Sequence, residues 1–239
     1  MPTTRVLVWD LPTRILHFGL AACFVGAFVI AVFVRHRSAA FPLHMLLGAV
    51  AAFVIVLRIV WGFVGSRYAR FRTFAFGPRA LLAYLRGMIS AAGEDHVGHN
   101  PANAWAAFAM LASILGAAVT GALISVGGRP VREIHEVFAY GAVTIVVVHL
   151  AGIALHTLRR RENIALGMID GKKAAAPALA IRSARPVAAL VLLAAIGAWA
   201  GVLVAGYDAA QHTETIPGLE VSIKLGGGRQ APAIPRARS

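Results

Sequence analysis

The sequence predicts an all-α integral membrane protein: a four-helix transmembrane bundle plus a fifth transmembrane helix. Three observations carry that expectation. The 239-residue chain is 59% hydrophobic and only 14% charged, where an ordinary soluble domain carries about 25% charged residues; its mean hydropathy is +0.73. The apolar residues gather into five stretches, near 14–34, 43–65, 103–126, 134–158 and 186–206, each close to the roughly 20 residues a spanning helix needs. Charged side chains lie between these stretches, and Arg58 is the clear exception inside one.

Taken in order, the elements read as follows. Trp9, Asp10 and Pro12 precede the first stretch, and no convincing small-residue cleavage site follows it. That stretch therefore reads as a retained helix and not as a cleaved leader. The second stretch holds Arg58. The segment 66–101 is long for a loop, and its middle, GPRALLAYLRGMIS, has apolar residues at helical spacing with a proline near the start. It is expected to form a short helix on the membrane surface. GEDHVGHNP then reads as a turn-rich connector. The third and fourth stretches follow, and a basic segment separates them from the fifth. Three regions result: a core over 1–173, a linker with the fifth span over 174–206, and a Gly/Pro-rich tail over 207–239.

The formal charge of +13 does not signal nucleic acid, because the Arg and Lys side chains flank apolar stretches instead of sharing one polar face. Such flanking charge sets topology. With the N-terminus in the cytoplasm of a bacterial inner membrane, the inside segments hold 14 Arg and Lys and the outside segments 8. This orientation places the tail in the periplasm. Cys23 is the single cysteine, which excludes an internal disulfide and a CxxCH haem attachment.

Histidines in spanning helices are functional candidates. His135 and His149 are 14 residues apart, so one helix presents both to within about 40° of the same face, about 21 Å apart along its axis. The alternating direction of the spans puts His17 at the depth of His149, and His44 at the depth of His135. A zinc site wants three or four ligands at one point, whereas each depth here offers two imidazoles and no obvious carboxylate. Two bis-imidazole sites stacked in a four-helix bundle match the needs of two b-type haems. Arg58 follows His44 by the same 14-residue step, and its guanidinium suits a haem propionate; Arg14 is a weaker candidate for that role. His156 is a weaker alternative to His149. His36, His96, His99 and His212 fall in loops or the tail, where solvated histidine is the expectation, with a quinone contact as a remote role for His99.

WDLPTRILH at 9–17 resembles the opening motif of the bacterial cytochrome b561 family, which is similar to the b-type cytochrome subunit of nickel-iron hydrogenases. The resemblance continues through HMLLGAVAAFVIVLRIVWGFVGSRYARF at 44–71, GHNP at 98–101, TG at 120–121 and EIHEVFAYGAVTIVVVHLAGIALHTLRRRENIALGMIDGKK at 133–173. It spans about residues 5 to 173 and implies a four-helix di-haem core in which His17, His44, His135 and His149 are the axial ligands. Phe18 stands where that family often has Trp after the first ligand, and the fifth helix and tail lie outside its short pattern.

The resemblance also implies electron exchange with the quinone pool and with a second partner: a periplasmic cytochrome c, a dehydrogenase or a hydrogenase. Two other classes compete. One is a superoxide:quinone oxidoreductase, with Arg35, Arg37, Arg129 and Arg132 steering an anion. The other is a non-redox membrane anchor whose histidines bind metal. GGRP at 127–130 and GGG at 226–228 lack the strand-to-helix context of a phosphate loop.

Overall fold

The computed structural model describes residues 4–90, 96–161, 163–208, 213–216 and 221–224. The chain is an all-α integral membrane protein, with short strands only at the ends of its bundle. Helix α1 (Leu11–Phe33) begins at Asp10, whose carboxylate accepts the Thr13 amide at 2.8 Å; an acidic N-cap satisfies an amide the helix itself cannot. Helix α2 (Pro42–Val64) returns antiparallel to it, and α3 (Pro78–Ser90) is the expected short helix between spans. Its strongly amphipathic sequence fits a surface position.

The third and fourth expected spans follow each other in α4 (Pro101–Arg160), 60 residues that comprise two helices joined across a kink at Gly128. A straight helix of that length would extend about 90 Å, three times the roughly 30 Å of bilayer hydrocarbon. It is not straight. Gly128 takes φ 61° and ψ −144°, a region open essentially to glycine alone, and Pro130 has no amide to continue the ladder. The limbs 101–127 and 129–160 fold back on each other. Ile114 and Ala142 share one buried cluster, a Cβ at Gly116 would lie 2.7 Å from the Phe138 ring, and His135 bonds the Ala117 carbonyl. All three pairs are centred near 127, as an antiparallel hairpin requires. The five expected spans are therefore present, the third and fourth as the two limbs of α4.

Helix α2 is the centre of the molecule. One face joins Val50 and Val54 to Leu16 of α1 and Leu203 of α6 (Pro186–Gly206), and the other joins Ala51 and Ile55 to Ile114 and Ala142 on the two limbs of α4. Between α4 and α6 lie the short helix α5 (Leu166–Asp170) and strand β2 (Lys172–Ala175). Phe33, Phe63, Val126, Val137 and Leu158 are exposed on the outside of the bundle, where lipid takes the place that a core would take in a soluble protein.

One end is capped by a feature that apolar patterning did not foretell. Strand β1 (Thr4–Leu7) pairs antiparallel with β2, in register Thr4↔Ala175 to Leu7↔Lys172. The Gly171 carbonyl accepts the amides of Val8 and Trp9 at 2.8 and 2.9 Å. Gly171 has φ 79°, and a Cβ there would lie 2.7 Å from the Trp9 carbonyl oxygen. Leu11 donates to the Ala184 carbonyl at 2.9 Å, so α6 starts beside α1 and runs parallel to it. At its far end α6 leads into three short strands, β3 (Tyr207–Asp208), β4 (Thr213–Ile216) and β5 (Val221–Lys224), paired antiparallel in that order. The rest of the expected tail lies outside the described residues.

Candidate functional site

At the end of the bundle where α1 finishes and α2 begins, His44 and His135 face each other. Their ring centroids are 6.1 Å apart, with an interplanar angle of 80°. His44 Nδ1 lies 2.8 Å from the Ala27 carbonyl of α1, and His135 Nδ1 lies 2.8 Å from the Ala117 carbonyl in the first limb of α4. A carbonyl oxygen only accepts, so each Nδ1 carries the proton and donates it. Each Nε2 then keeps its lone pair, the arrangement that second-shell carbonyls impose on metal-ligating histidine. The close approach needs Gly121, where an added Cβ would sit 3.3 Å from the His135 ring.

The opposite end holds His17 and His149, which are linked by an electrostatic interaction. His17 meets Phe18 edge-on at 5.1 Å. His149 Nδ1 is buried with no hydrogen-bond partner among the described residues. Around this pair lies a concentration of polar groups. Asp10 has 0% exposure. Its Oδ2 accepts Trp61 Nε1 at 3.1 Å and the Ser66 amide at 3.4 Å, tying the end of α2 to the start of α1. Arg58 packs its guanidinium over Phe71 and Phe74, 5.1 and 5.8 Å from their ring centroids; its Nη1 is buried without a partner among the described residues. Arg14 commits Nε to the Met168 carbonyl at 3.0 Å and Nη2 to the Ile169 carbonyl, holding α5 against α1.

His99 belongs to this end, which corrects its reading as a solvated loop residue. It stacks on Phe74 at 4.1 Å and 27° and meets Trp9 edge-on at 4.7 Å. Burial, and then the nearby charges of Arg58, His149 and His17, push its pKa down from 6.5 to about 3, so the ring is neutral. Its Nδ1 is buried without a hydrogen-bond partner among the described residues. The signal for this placement is in the sequence. Asn100 caps α4 through the Asn103 amide at 2.7 Å, Pro101 opens the helix, and a Cβ at Gly98 would lie 2.8 Å from Tyr68. A capped helix start anchors the residue before it, a constraint that the turn-rich composition of this segment conceals.

The remaining histidines lie elsewhere. His36 is exposed and touches Phe41 at 4.5 Å. His96 is half-buried between Phe76 and Tyr84. His156 lies half-buried two turns beyond His149. His212 falls outside the described residues. Among the described residues no group of three or more His, Cys, Asp or Glu side chains converges as a metal site, so neither depth offers the ligand set of a zinc centre.

The model of one protein family, described as prokaryotic cytochrome b561, matches residues 8–171. The chain belongs to the prokaryotic cytochrome b561 family. No curated protein and no solved structure matches it. The matched span takes in α1, α2, α3, α4 and α5 and stops before α6. Membership makes the chain a membrane cytochrome that binds haem b and takes part in electron transfer. The geometry at His44 and His135 fits such a group. Two imidazoles on opposite faces of one metal, each at a bond length of about 2 Å, place their centroids roughly 6 Å apart, and the observed separation is 6.1 Å. One turn beyond His44, a Cβ at Gly48 would meet nothing within 4 Å, which leaves room for a flat ring system beside α2.

Proposed function

We propose that this cytochrome carries two haems b, and that it passes electrons between the quinone pool and a redox partner across the bacterial inner membrane. His44 and His135 are the axial ligands of one haem, and His17 and His149 those of the other. When bound, haem supplies a one-electron ferric/ferrous couple. The chain's residues do the rest. The Ala27 and Ala117 carbonyls fix the imidazole tautomers at one end. The hairpin at Gly128 sets the second limb of α4 so that His135 and His149 share a face, about 21 Å apart along the axis. Arg58 offers a buried cation to a propionate, and Arg14, with two donors already engaged, is the weaker partner for that role. The lipid-facing aliphatic side chains keep water from the path between the two depths.

The observation that carries this reading is the facing His44–His135 pair with both Nδ1 atoms engaged by carbonyls. Purified protein should contain about two haems per chain, because two axial imidazoles serve one iron. Acid–acetone should extract both, since Cys23 is the only cysteine and provides no CxxCH attachment. One haem per chain, or haem left on the polypeptide, would sink the proposal. The second partner is a periplasmic cytochrome c, a dehydrogenase or a hydrogenase.

A second reading has its own observation. Arg35, Arg37 and Arg132 are exposed at the His44 end, where they would steer a small anion toward that pair. Arg129 beside them is partly neutralised by Glu133 at 2.9 Å. On this reading the protein oxidises superoxide and reduces quinone without a protein partner. Quinone reduction by superoxide with the purified protein alone supports it, and no rate above the uncatalysed one rejects it.

A further inference from the structure

Besides His149 Nδ1, the His17–His149 end contains two buried side-chain nitrogens without partners among the described residues, one on His99 and one on Arg58, and both side chains lie against the same ring. His99 lies face to face with Phe74 at 4.1 Å, and the Arg58 guanidinium lies 5.8 Å from that ring's centroid. Phe74 is itself 1% exposed, and His99 and Arg58 are each half-buried against it. His99 Nδ1 and Arg58 Nη1 are both buried and unbonded among the described residues. A buried donor left unmade costs about 1–3 kcal/mol, and more when it is charged. Two of them side by side in a well-packed region point to an acceptor that both share.

The acceptor's chemistry follows from the donors. One is a cation and the other is a neutral ring, so the pair carries a single positive charge and two or more N–H bonds. A planar carboxylate matches that set. The chain's own buried carboxylate here, Asp10, is already bonded to Thr13, Trp61 and Ser66. Both His17 and His149 lie within electrostatic reach of His99. The carboxylates that haem b carries at this depth are its propionates.

We infer that His99 is a positioning residue for haem: together with Arg58 it holds one propionate of the haem ligated by His17 and His149. This inference rests on the di-haem reading and adds a residue that its ligand set does not contain. Trp9 and Phe74 hold the imidazole edge and face, and the Asn100 cap fixes its backbone. The neutral ring donates one hydrogen bond without adding a second charge. Removing that donor leaves the propionate's negative charge less compensated, and this favours the ferric state of the nearby iron.

The test is made on the intact holoprotein with two substitutions. His99→Phe keeps a flat ring against Phe74 and removes the donor, while His99→Gln keeps a donor and removes the ring. Redox titration should show the haem that depends on His149 shifted to lower potential in His99→Phe. The expected shift is about tenfold in its reduced-to-oxidised ratio at fixed ambient potential, or about 59 mV for a one-electron couple. The haem that depends on His44 should not move. His99→Gln should restore most of the shift. With haem labelled by ¹³C at its propionate carboxylates, the redox-induced infrared difference spectrum should show a labelled carboxylate band that moves in His99→Phe and stays near its wild-type position in His99→Gln. A band that moves but carries no label would assign the pair to another carboxylate and overturn the inference. So would unchanged potentials in His99→Phe, or equal haem loss in both variants, which would make the ring's packing the whole of its role. If the wild-type protein lacks two haems, the di-haem reading fails first, and the two failures are thereby distinguished.

Discussion

The two ends of the bundle hold their histidines by different means. At the His44–His135 end the backbone does the work: two helix carbonyls take the two Nδ1 protons, and glycines let the helices and rings come close. In the turn between α1 and α2 and around the bend of α4, the charged side chains are exposed arginines with Glu133 and Glu136. At the His17–His149 end side chains do it. Asp10, Trp61, Arg58, His99 and an aromatic group of Trp9, Phe71 and Phe74 form a buried polar and aromatic cluster. A backbone-held pair fixes geometry but has few side chains with which to tune charge. A side-chain-held pair has a cation and polar groups close by, and each can be altered singly. On the di-haem reading proposed above, two sites of like ligation are therefore tuned by different groups.

The largest effects should come from the ligands themselves. His44→Ala and His135→Ala should each disturb the same haem, and His17→Ala and His149→Ala should each disturb the other, measured as haem per chain and as reduced-minus-oxidised spectra. Combining two changes from one pair should leave one haem with a near-normal spectrum, whereas combining one from each pair should disturb both. Two normal spectra after His149→Ala would break the comparison and move the ligand role to His156.

Next in size is the hairpin. Gly121→Val places methyl groups where a Cβ alone would sit 3.3 Å from the His135 ring, and overpacking of this kind costs about 1–3 kcal/mol. The haem signal that depends on His44 should melt at lower temperature, while the one that depends on His149 keeps its midpoint more nearly. Equal loss at both ends would mean that the limbs of α4 transmit strain along their whole length. Arg58→Gln should act at the other end and more gently. A bond from a charged donor contributes about 1.5–3 kcal/mol, and only the part that differs between ferric and ferrous states moves the potential. The His149-dependent haem should shift to lower potential without being lost, and Arg58→Lys should shift it less. An unchanged titration in Arg58→Gln would leave Arg58 with a packing role only.

Much of this architecture is legible in composition and spacing, because a bilayer leaves few choices. The five spans follow from run length, and the two depths of histidine follow from helix direction. What composition conceals is local and polar. Gly128 and Pro130 read as an ordinary loop between spans, whereas the reversal is confined to one glycine of non-helical backbone between the two limbs. The β1–β2 pairing joins residues 4–7 to residues 172–175, a long-range contact between short polar segments with no periodicity to announce it. His99 is hidden for a related reason. Its neighbours are turn formers, and burial of a loop residue is decided by what packs over it, here Phe74 and Trp9 from two distant segments.

The smallest expected effect is on chemistry, and the test decides which end faces which compartment. Leu11 donates to Ala184 at one end of the bundle, and Trp199 Nε1 reaches the Ala49 carbonyl, 3.4 Å away, toward the other. Helix α6 therefore runs parallel to α1, and the chain beyond Gly206 leaves from the His44 end. Among the described residues the Arg and Lys excess lies at the opposite end, and positive charge is retained on the cytoplasmic side. An epitope placed after Ser239 should be removed by protease added to spheroplasts, with haem content and both potentials unchanged. Cleavage would set the His44–His135 pair and its exposed arginines toward the periplasm, within reach of a soluble partner there. It would also set the cluster of Arg58 and His99 on the cytoplasmic side. Complete protection in spheroplasts shown to be accessible would invert that assignment, and with it the choice of which end meets which partner.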